Sequence, residues 1–251
     1  MSNSPKPKKA ARKRRAAVAN DHGSARTGMG GSIEDISDRV LQAIREHRLP
    51  PGTKLGEDRM AGIFGVSRAR IREVFNSLAV EGIVELVPQR GAHVARPSPE
   101  QARDVLELRR LIEPGVVRRL ISTLTPERLA RLREHHRREI DARSRKDTRA
   151  VIRLSGEFHL LLAELSGNHV FYRTMRELTT LTCLAIFLYD APTAQTCRAD
   201  EHEALIDAIG KADAATATKL MIKHLTQIED NLDLSTNGVE VDLEAVFNQA
   251  S

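Results

Sequence analysis

Phe64-Gly65-Val66-Ser67-Arg68-Ala69-Arg70-Ile71-Arg72-Glu73-Val74-Phe75-Asn76-Ser77-Leu78 is the stretch on which the fold turns. Gly65 breaks one helix, and Ser67 is placed to cap the next, which gives a helix-turn-helix. At about 100° per residue, Ile71, Val74, Phe75 and Leu78 share one face, which must be the core. Ala69, Arg72, Glu73 and Asn76 face away, with Arg68 and Arg70 on the flanks. Arginine and asparagine on an outward helix face suit a DNA major groove, guanidinium to guanine or phosphate and amide to adenine. The helix pair by itself is equally compatible with a helical hairpin inside a larger domain, its arginines merely solvated.

The neighbouring segments narrow that choice. Upstream, Ser32 looks like an N-cap, and Ile33, Ile36, Val40 and Ile44 form a helical stripe to about Arg48, stopped by Pro50-Pro51-Gly52. A short helix fits residues 57–64 and the next fits 68–81. Downstream, Ile83–Val87 and Ala92–Ala95 flank Pro88-Gln89-Arg90-Gly91 and read as a small β-hairpin. Its tip, with Arg90 and Gly91, would be a wing touching the backbone or minor groove.

Charge is uneven along the chain. Residues 1–31 carry eight bases and one acid, Asp21, a balance of +7 in a chain whose net charge is +5. The segment has no apolar periodicity, ends in Gly30-Gly31, and is expected to be disordered. Residues 32–97 sum to +1 and residues 98–251 to −3. No stretch approaches the roughly 18–20 apolar residues of a membrane span, and no apolar core of a secretory signal follows the basic start. Two cysteines, Cys183 and Cys197, fit neither a disulfide framework nor a four-thiolate zinc site, so a cytoplasmic location is expected. Aromatic residues are 3% of the chain, too few for a single-strand stacking platform.

Pro97 and Pro99 mark a boundary, and the chain beyond reads as six helices, about 99–122, 126–145, 148–166, 169–190, 195–209 and 212–233. The residues after Asn237-Gly238 are weakly patterned. His202 lies in a stripe with Leu205, Ile206 and Ile209; His224 shares a face with Leu220, Met221 and Ile228; His159 edges the stripe of Phe158, Leu162 and Leu165. A buried imidazole without a partner is costly. Three on separate helices could converge on a divalent metal, or each could be a core histidine bonded to a carbonyl.

Residues 33–96 resemble the winged helix-turn-helix of the GntR superfamily of bacterial transcriptional regulators. The likeness runs through Leu49-Pro50-Pro51-Gly52-Thr53-Lys54-Leu55, Gly65-Val66-Ser67-Arg68, Ile71-Arg72-Glu73, Glu81-Gly82-Ile83-Val84 and Arg90-Gly91-Ala92-His93-Val94. It implies DNA contacts at Arg68, Arg72 and Gly91. Two DNA-facing positions depart from the pattern: Asp58 stands where an arginine is usual, and Ala69-Arg70 replaces Thr-Pro. Residues 100–232 are similar to the helical FCD effector-binding domain of the FadR branch, in its shorter VanR-type form. The carriers are Leu108-Arg109-Arg110-Leu111-Ile112-Glu113, Phe158-His159, Gly167-Asn168, His202 with Ala208-Ile209, and His224-Leu225. The resemblance implies metal ligands at His159, His202 and His224, with Ser155 standing where a fourth, aspartate ligand is usual. It also implies an effector cavity lined by Arg109, whose fork would clamp a carboxylate; otherwise Arg109 is a surface ion pair with Glu113.

The resulting expectation is a mainly α protein with four segments. A disordered tail (1–31) precedes a winged helix-turn-helix of three helices and a hairpin (32–97). A six-helix FCD bundle (98–236) and a weakly structured C-terminus (237–251) follow. The expected function is a dimeric, non-enzymatic, ligand-responsive regulator on a palindromic double-stranded DNA operator. Arg68, Arg70, Arg72, Asn76, Arg90 and Gly91 are its expected DNA contacts, and Arg109 and Ser155 the contacts to a small organic acid. A divalent ion, zinc or similar, would sit on the three histidines. A metal-dependent enzyme using the same histidines, and a non-specific nucleic-acid packager acting through the tail, are the competing classes.

Overall fold

The computed structural model describes Met1, residues 31–190 and residues 199–235. The expected disordered tail (but for Met1 and Gly31), the expected C-terminal tail and residues 195–198 of the fifth predicted bundle helix lie outside these.

The chain after Gly31 starts with helix α1, Ile33–Arg45, closed at its N-terminus by reciprocal hydrogen bonds between Ser32 and Asp35 at 3.0 and 3.1 Å. A two-residue strand, β1 (Lys54–Leu55), leads to α2 (Glu57–Phe64). Gly65 ends that helix at φ +66°, a left-handed conformation that glycine adopts without steric penalty. Helix α3, Arg68–Val80, follows with Ser67 accepting from the Arg70 amide at 3.2 Å. Strands β2 (Val84–Val87) and β3 (Gly91–Val94) then pair antiparallel, with Val84 opposite Val94 and Val87 opposite Gly91. β1 joins the outer side of β3, so the sheet order is β1-β3-β2. The sequence reading missed β1, because two residues carry no periodicity and its pairing with β3 is non-local.

The expected core face of α3 is buried: Ile71, Val74, Phe75 and Leu78 are at most 1% exposed and pack on Ile36, Val40 and Ile44 of α1.

Ser98 caps α4 (Pro99–Ser122) with Gln101 returning the bond, and Pro99 occupies the first turn, where its missing N–H is not needed. α5 (Pro126–Ser144), α6 (Thr148–Leu165), α7 (His169–Tyr189), α8 (Ala199–Gly210) and α9 (Ala214–Asp230) complete a helical bundle. Its core includes Leu106, Val117, Leu120, Leu132, Phe158, Met175, Ile209 and Leu225.

The two halves share a seam. Leu184 of α7 is buried in the core of the N-terminal half. His47 Nε2 donates to the Cys183 carbonyl at 3.1 Å, and Arg45 Nη1 donates to Thr180 Oγ1 at 3.3 Å. Ion pairs Arg153–Glu46 (3.2 Å) and Arg176–Asp38 (3.3 Å) flank these contacts.

Phe75 has no room to be replaced by collapse of its neighbours, since the side chains around it are themselves buried. Phe75→Ala is expected to cost about 3–5 kcal/mol in urea unfolding; a loss below about 1 kcal/mol would contradict this packing.

Candidate functional site

The outward face of α3 is held by α2. Arg72 makes a two-pronged bond to Glu57, Nε to Oε1 at 3.0 Å and Nη2 to Oε2 at 2.7 Å. Arg68 lies 3.6 Å from the same Glu57 and 3.1 Å from Asp58. Both arginines are more than half exposed, at 59% and 58%, so they are oriented without being sequestered. The hydrogen bond from Arg72 holds the Glu57 carboxyl below its usual range. Asp58, the departure from the family pattern, therefore becomes the partner of Arg68. Arg70 reaches back to the Gly31 carbonyl at 3.5 Å. Asn76, Arg90 and Gly91 are also exposed, the last two at the tip of the β2–β3 hairpin, where Gln89 (φ +64°) and Gly91 (φ +88°) are both left-handed. Glu57 went unnoticed in the sequence, although an acid in the first turn ahead of an arginine-bearing helix was a readable signal.

Three buried histidines meet in the bundle: His159 from α6, His202 from α8 and His224 from α9. Nε2 of His224 lies 3.3 Å from that of His159 and 3.4 Å from that of His202. Every Nδ1 faces a carboxylate instead. His159 donates to Glu113 at 2.6 Å, His202 to Glu139 at 3.0 Å and His224 to Glu201 at 2.6 Å. This arrangement assigns the ring protons to Nδ1 and leaves three Nε2 lone pairs within 4.8 Å of one another. Lone pairs at that separation repel unless a cation or a proton stands between them. A tetrahedral ion with bonds of about 2.0–2.1 Å to nitrogen would hold its nitrogens about 3.3–3.4 Å apart. Burial drives the His159 imidazole down to about 3 against the pull of Glu113, which keeps it neutral, the form that ligates. Burial alone would raise the Glu113 carboxyl, but Arg109, then His159, override it and hold it at about 2.

The carboxylates add what the sequence reading did not contain. Glu113, Glu139 and Glu201 lie 46, 63 and 23 residues from the histidines they meet, and only the folded bundle brings them to the rings. Of the two readings of Arg109, the surface pair is excluded: the Arg109–Glu113 pair at 2.7 Å is buried, each side chain 2% exposed, and Arg109 lines a cavity. Arg109 Nη1 also donates to Thr182 Oγ1 at 3.0 Å, while its Nη2 is buried with no hydrogen-bond partner, as is Thr179 Oγ1. These groups line a small cavity with Ser155, His159, Cys183 and Ile186, holding about 30 Å³ of free space, room for one or two waters. His135 and His136, not singled out in the sequence, are buried as well; His135 donates to the Leu154 carbonyl at 2.8 Å and His136 to Glu139 at 3.1 Å.

A helix-turn-helix with a β-wing on a helical bundle that holds a buried three-histidine cluster is the architecture of a DNA-binding transcriptional regulator. Residues 32–94 match the family profile "Bacterial regulatory proteins, gntR family" and residues 104–227 match the FCD domain. The chain belongs to the GntR family and carries an FCD domain. It is 29% identical over 196 residues to the HTH-type transcriptional repressor RspR of Escherichia coli (strain K12), covering 77% of this chain and 86% of RspR. It is 27% identical to the HTH-type transcriptional regulator LutR of Bacillus subtilis (strain 168), over 75% of this chain and 95% of LutR. Among solved structures, E. coli McbR/YncC shares the fold with a TM-score of 0.70 at 19% identity, covering 78% of this chain and 93% of that one. A GntR regulator from Rhodococcus sp. RHA1 does so with a TM-score of 0.68 at 22% identity, covering 79% and 95%. RspR and LutR are named transcriptional regulators, and the chain is a regulator rather than an enzyme. Among the described residues, no helix is long and apolar enough to cross a membrane.

Glu113 neutralises Arg109 and orients His159 at once. Glu113→Gln, which leaves the buried guanidinium without its counter-charge, is expected to cost about 3–5 kcal/mol by chemical denaturation. An unchanged unfolding midpoint would mean that the pair is not structural.

Proposed function

We propose that this protein is a cytoplasmic, homodimeric repressor that binds a palindromic operator and is controlled by a small organic acid held beside a divalent metal ion. The convergence of three Nε2 atoms, each backed by a carboxylate, carries this reading. Glu113, Glu139 and Glu201 bring three negative charges to the cluster and Arg109 one positive charge. A divalent cation would balance the remainder. His159, His202 and His224 would hold it, and it would supply a Lewis-acidic anchor for a carboxylate. With Ser155 at the usual aspartate position, one more coordination place is left to water or ligand. The unpartnered Nη2 of Arg109 and the hydroxyls of Ser155 and Thr179 suit the far side of that carboxylate.

Free space of about 30 Å³ is too small for an organic acid, so binding requires the lining of α7 to shift. Thr179, Thr182 and Cys183 line the cavity, while Thr180 holds the end of α1 and the Cys183 carbonyl holds His47 just beyond it. The same helix would therefore pass a ligand's effect to the placement of the DNA-reading heads. Dimerisation is supported by Leu108 and Leu111, which present an outward apolar pair on α4 at 41% and 71% exposure. On DNA, Arg68, Arg70, Arg72 and Asn76 would enter the major groove, and Arg90 and Gly91 would reach the backbone. The relatives RspR and NanR, the latter 28% identical in Cronobacter sakazakii, are named transcriptional repressors.

Footprinting on the protein's own promoter region tests the DNA half. Arg68→Ala and Arg72→Ala are each expected to weaken protection at least about tenfold. Deleting residues 1–31 should weaken binding and flatten its salt dependence while leaving the protected sequence unchanged. A moved footprint would contradict a purely electrostatic tail, and protection indifferent to both arginine changes would favour non-specific packaging.

Competition against a chelator tests the metal half. Glu139→Gln, which loosens His202, is expected to reduce zinc affinity about 10–100-fold; unchanged affinity would remove the carboxylates from the site.

A further inference from the structure

A second cleft lies away from the histidines, where α1 of the DNA-binding half meets α6 and α7 of the bundle. It measures about 280 Å³ and is lined by Asp38, Arg39, Arg45, Glu157, Tyr172 and Arg176, among others. Three guanidiniums thus face two carboxylates, and both carboxylates are already engaged. Asp38 pairs with Arg176 at 3.3 Å, and Glu157 takes both oxygens to Arg153 at 3.0 and 2.9 Å. Arg39 and Arg45 have no carboxylate within ion-pair distance among the described residues. Arg39 lies over the Phe64 ring, 4.6 Å from its centroid. Arg45 is the more telling of the two. It is 92% buried by its 8% exposure, makes one hydrogen bond, to Thr180, and its Nε is buried with no partner.

A buried guanidinium without a counter-ion is strongly disfavoured, and removing one partner from such a pair is what usually creates that state. Here the missing partner has a place to sit, because the cleft opens beside it. We propose that this cleft is a binding site for a compact dianion, a phosphate group or a dicarboxylate, gripped by Arg39 and Arg45 from α1 and by Arg176 from α7. Tyr172 offers a hydroxyl at the rim. The site is distinct from the histidine cavity, which Arg109 serves and which Arg39 does not reach. A ligand there touches both halves of the protein, so its binding is linked to how α1 sits on α7, and through α1 to the DNA-reading helices.

Titration calorimetry on the full chain, at constant ionic strength maintained with sodium chloride, tests this with inorganic phosphate and, separately, with succinate. Saturable one-site binding is expected for at least one of them, and the one that binds tells a phosphate group from a dicarboxylate. Arg39→Gln, an exposed change that leaves the core intact, should weaken that binding at least about tenfold, as should Arg45→Gln if the variant folds. No saturable binding of either anion overturns the proposal. Binding that Arg39→Gln leaves unchanged overturns it equally.

Discussion

Arg109, Glu113 and His159 form a buried line of charge and hydrogen bonds through the middle of the bundle, and the chemistry of the helical domain depends on it. Glu113 is shared: one oxygen takes Arg109 Nε at 2.7 Å, the other takes His159 Nδ1 at 2.6 Å. A single carboxylate therefore fixes the cation that lines the cavity and the tautomer of the imidazole beside it. Groups of this kind are costly to bury unless each has its partner. Among the buried polar atoms left without one are Arg109 Nη2 and Thr179 Oγ1, and both belong to residues that line the cavity. A donor and a hydroxyl left open beside a cavity are groups that a polar ligand entering it could satisfy.

The same economy of parts links the two halves. Helix α7 contributes Thr179, Thr182 and Cys183 to the cavity, Thr180 to the end of α1, the Cys183 carbonyl to His47 just beyond it, and Leu184 to the N-terminal core. Gly156 on α6 permits this crowding: a Cβ there would come within 3.2 Å of Thr179 Cγ2 and 3.4 Å of Cys183 Sγ. The reading face of α3 is organised by similar logic on a smaller scale, with Glu57 orienting Arg72 and Asp58 occupied with Arg68. On the proposed DNA-binding role, phosphate would have to compete with these carboxylates, which aim the arginines in advance while leaving them more than half exposed.

Much of the fold was legible because it is written locally. Ser32 and Ser67 announce two helices through caps, and Pro99 and Pro126 open two more at their first turns. Ile71, Val74, Phe75 and Leu78 declare the core face of α3 by period alone. The three histidines were legible for the same reason, since each broke an apolar stripe. What could not be read was anything decided by pairs distant in the chain. β1 exists only by its pairing with β3. The acids behind the rings come from α4, α5 and α8, 46 and 63 residues away in two of the three bonds. The burial of the Arg109–Glu113 pair, spaced like an ordinary surface pair, depends on the helices that close over it.

The sharpest test is metal analysis joined to X-ray absorption at the metal edge on the purified protein. About one divalent ion per chain, with a first shell of three imidazole nitrogens completed by oxygen, is the expected result, and His224→Ala should lose it. A metal-free protein that cannot be loaded with zinc, or a first shell that keeps three imidazoles in His224→Ala, would contradict the reading of the histidine cluster as a metal centre.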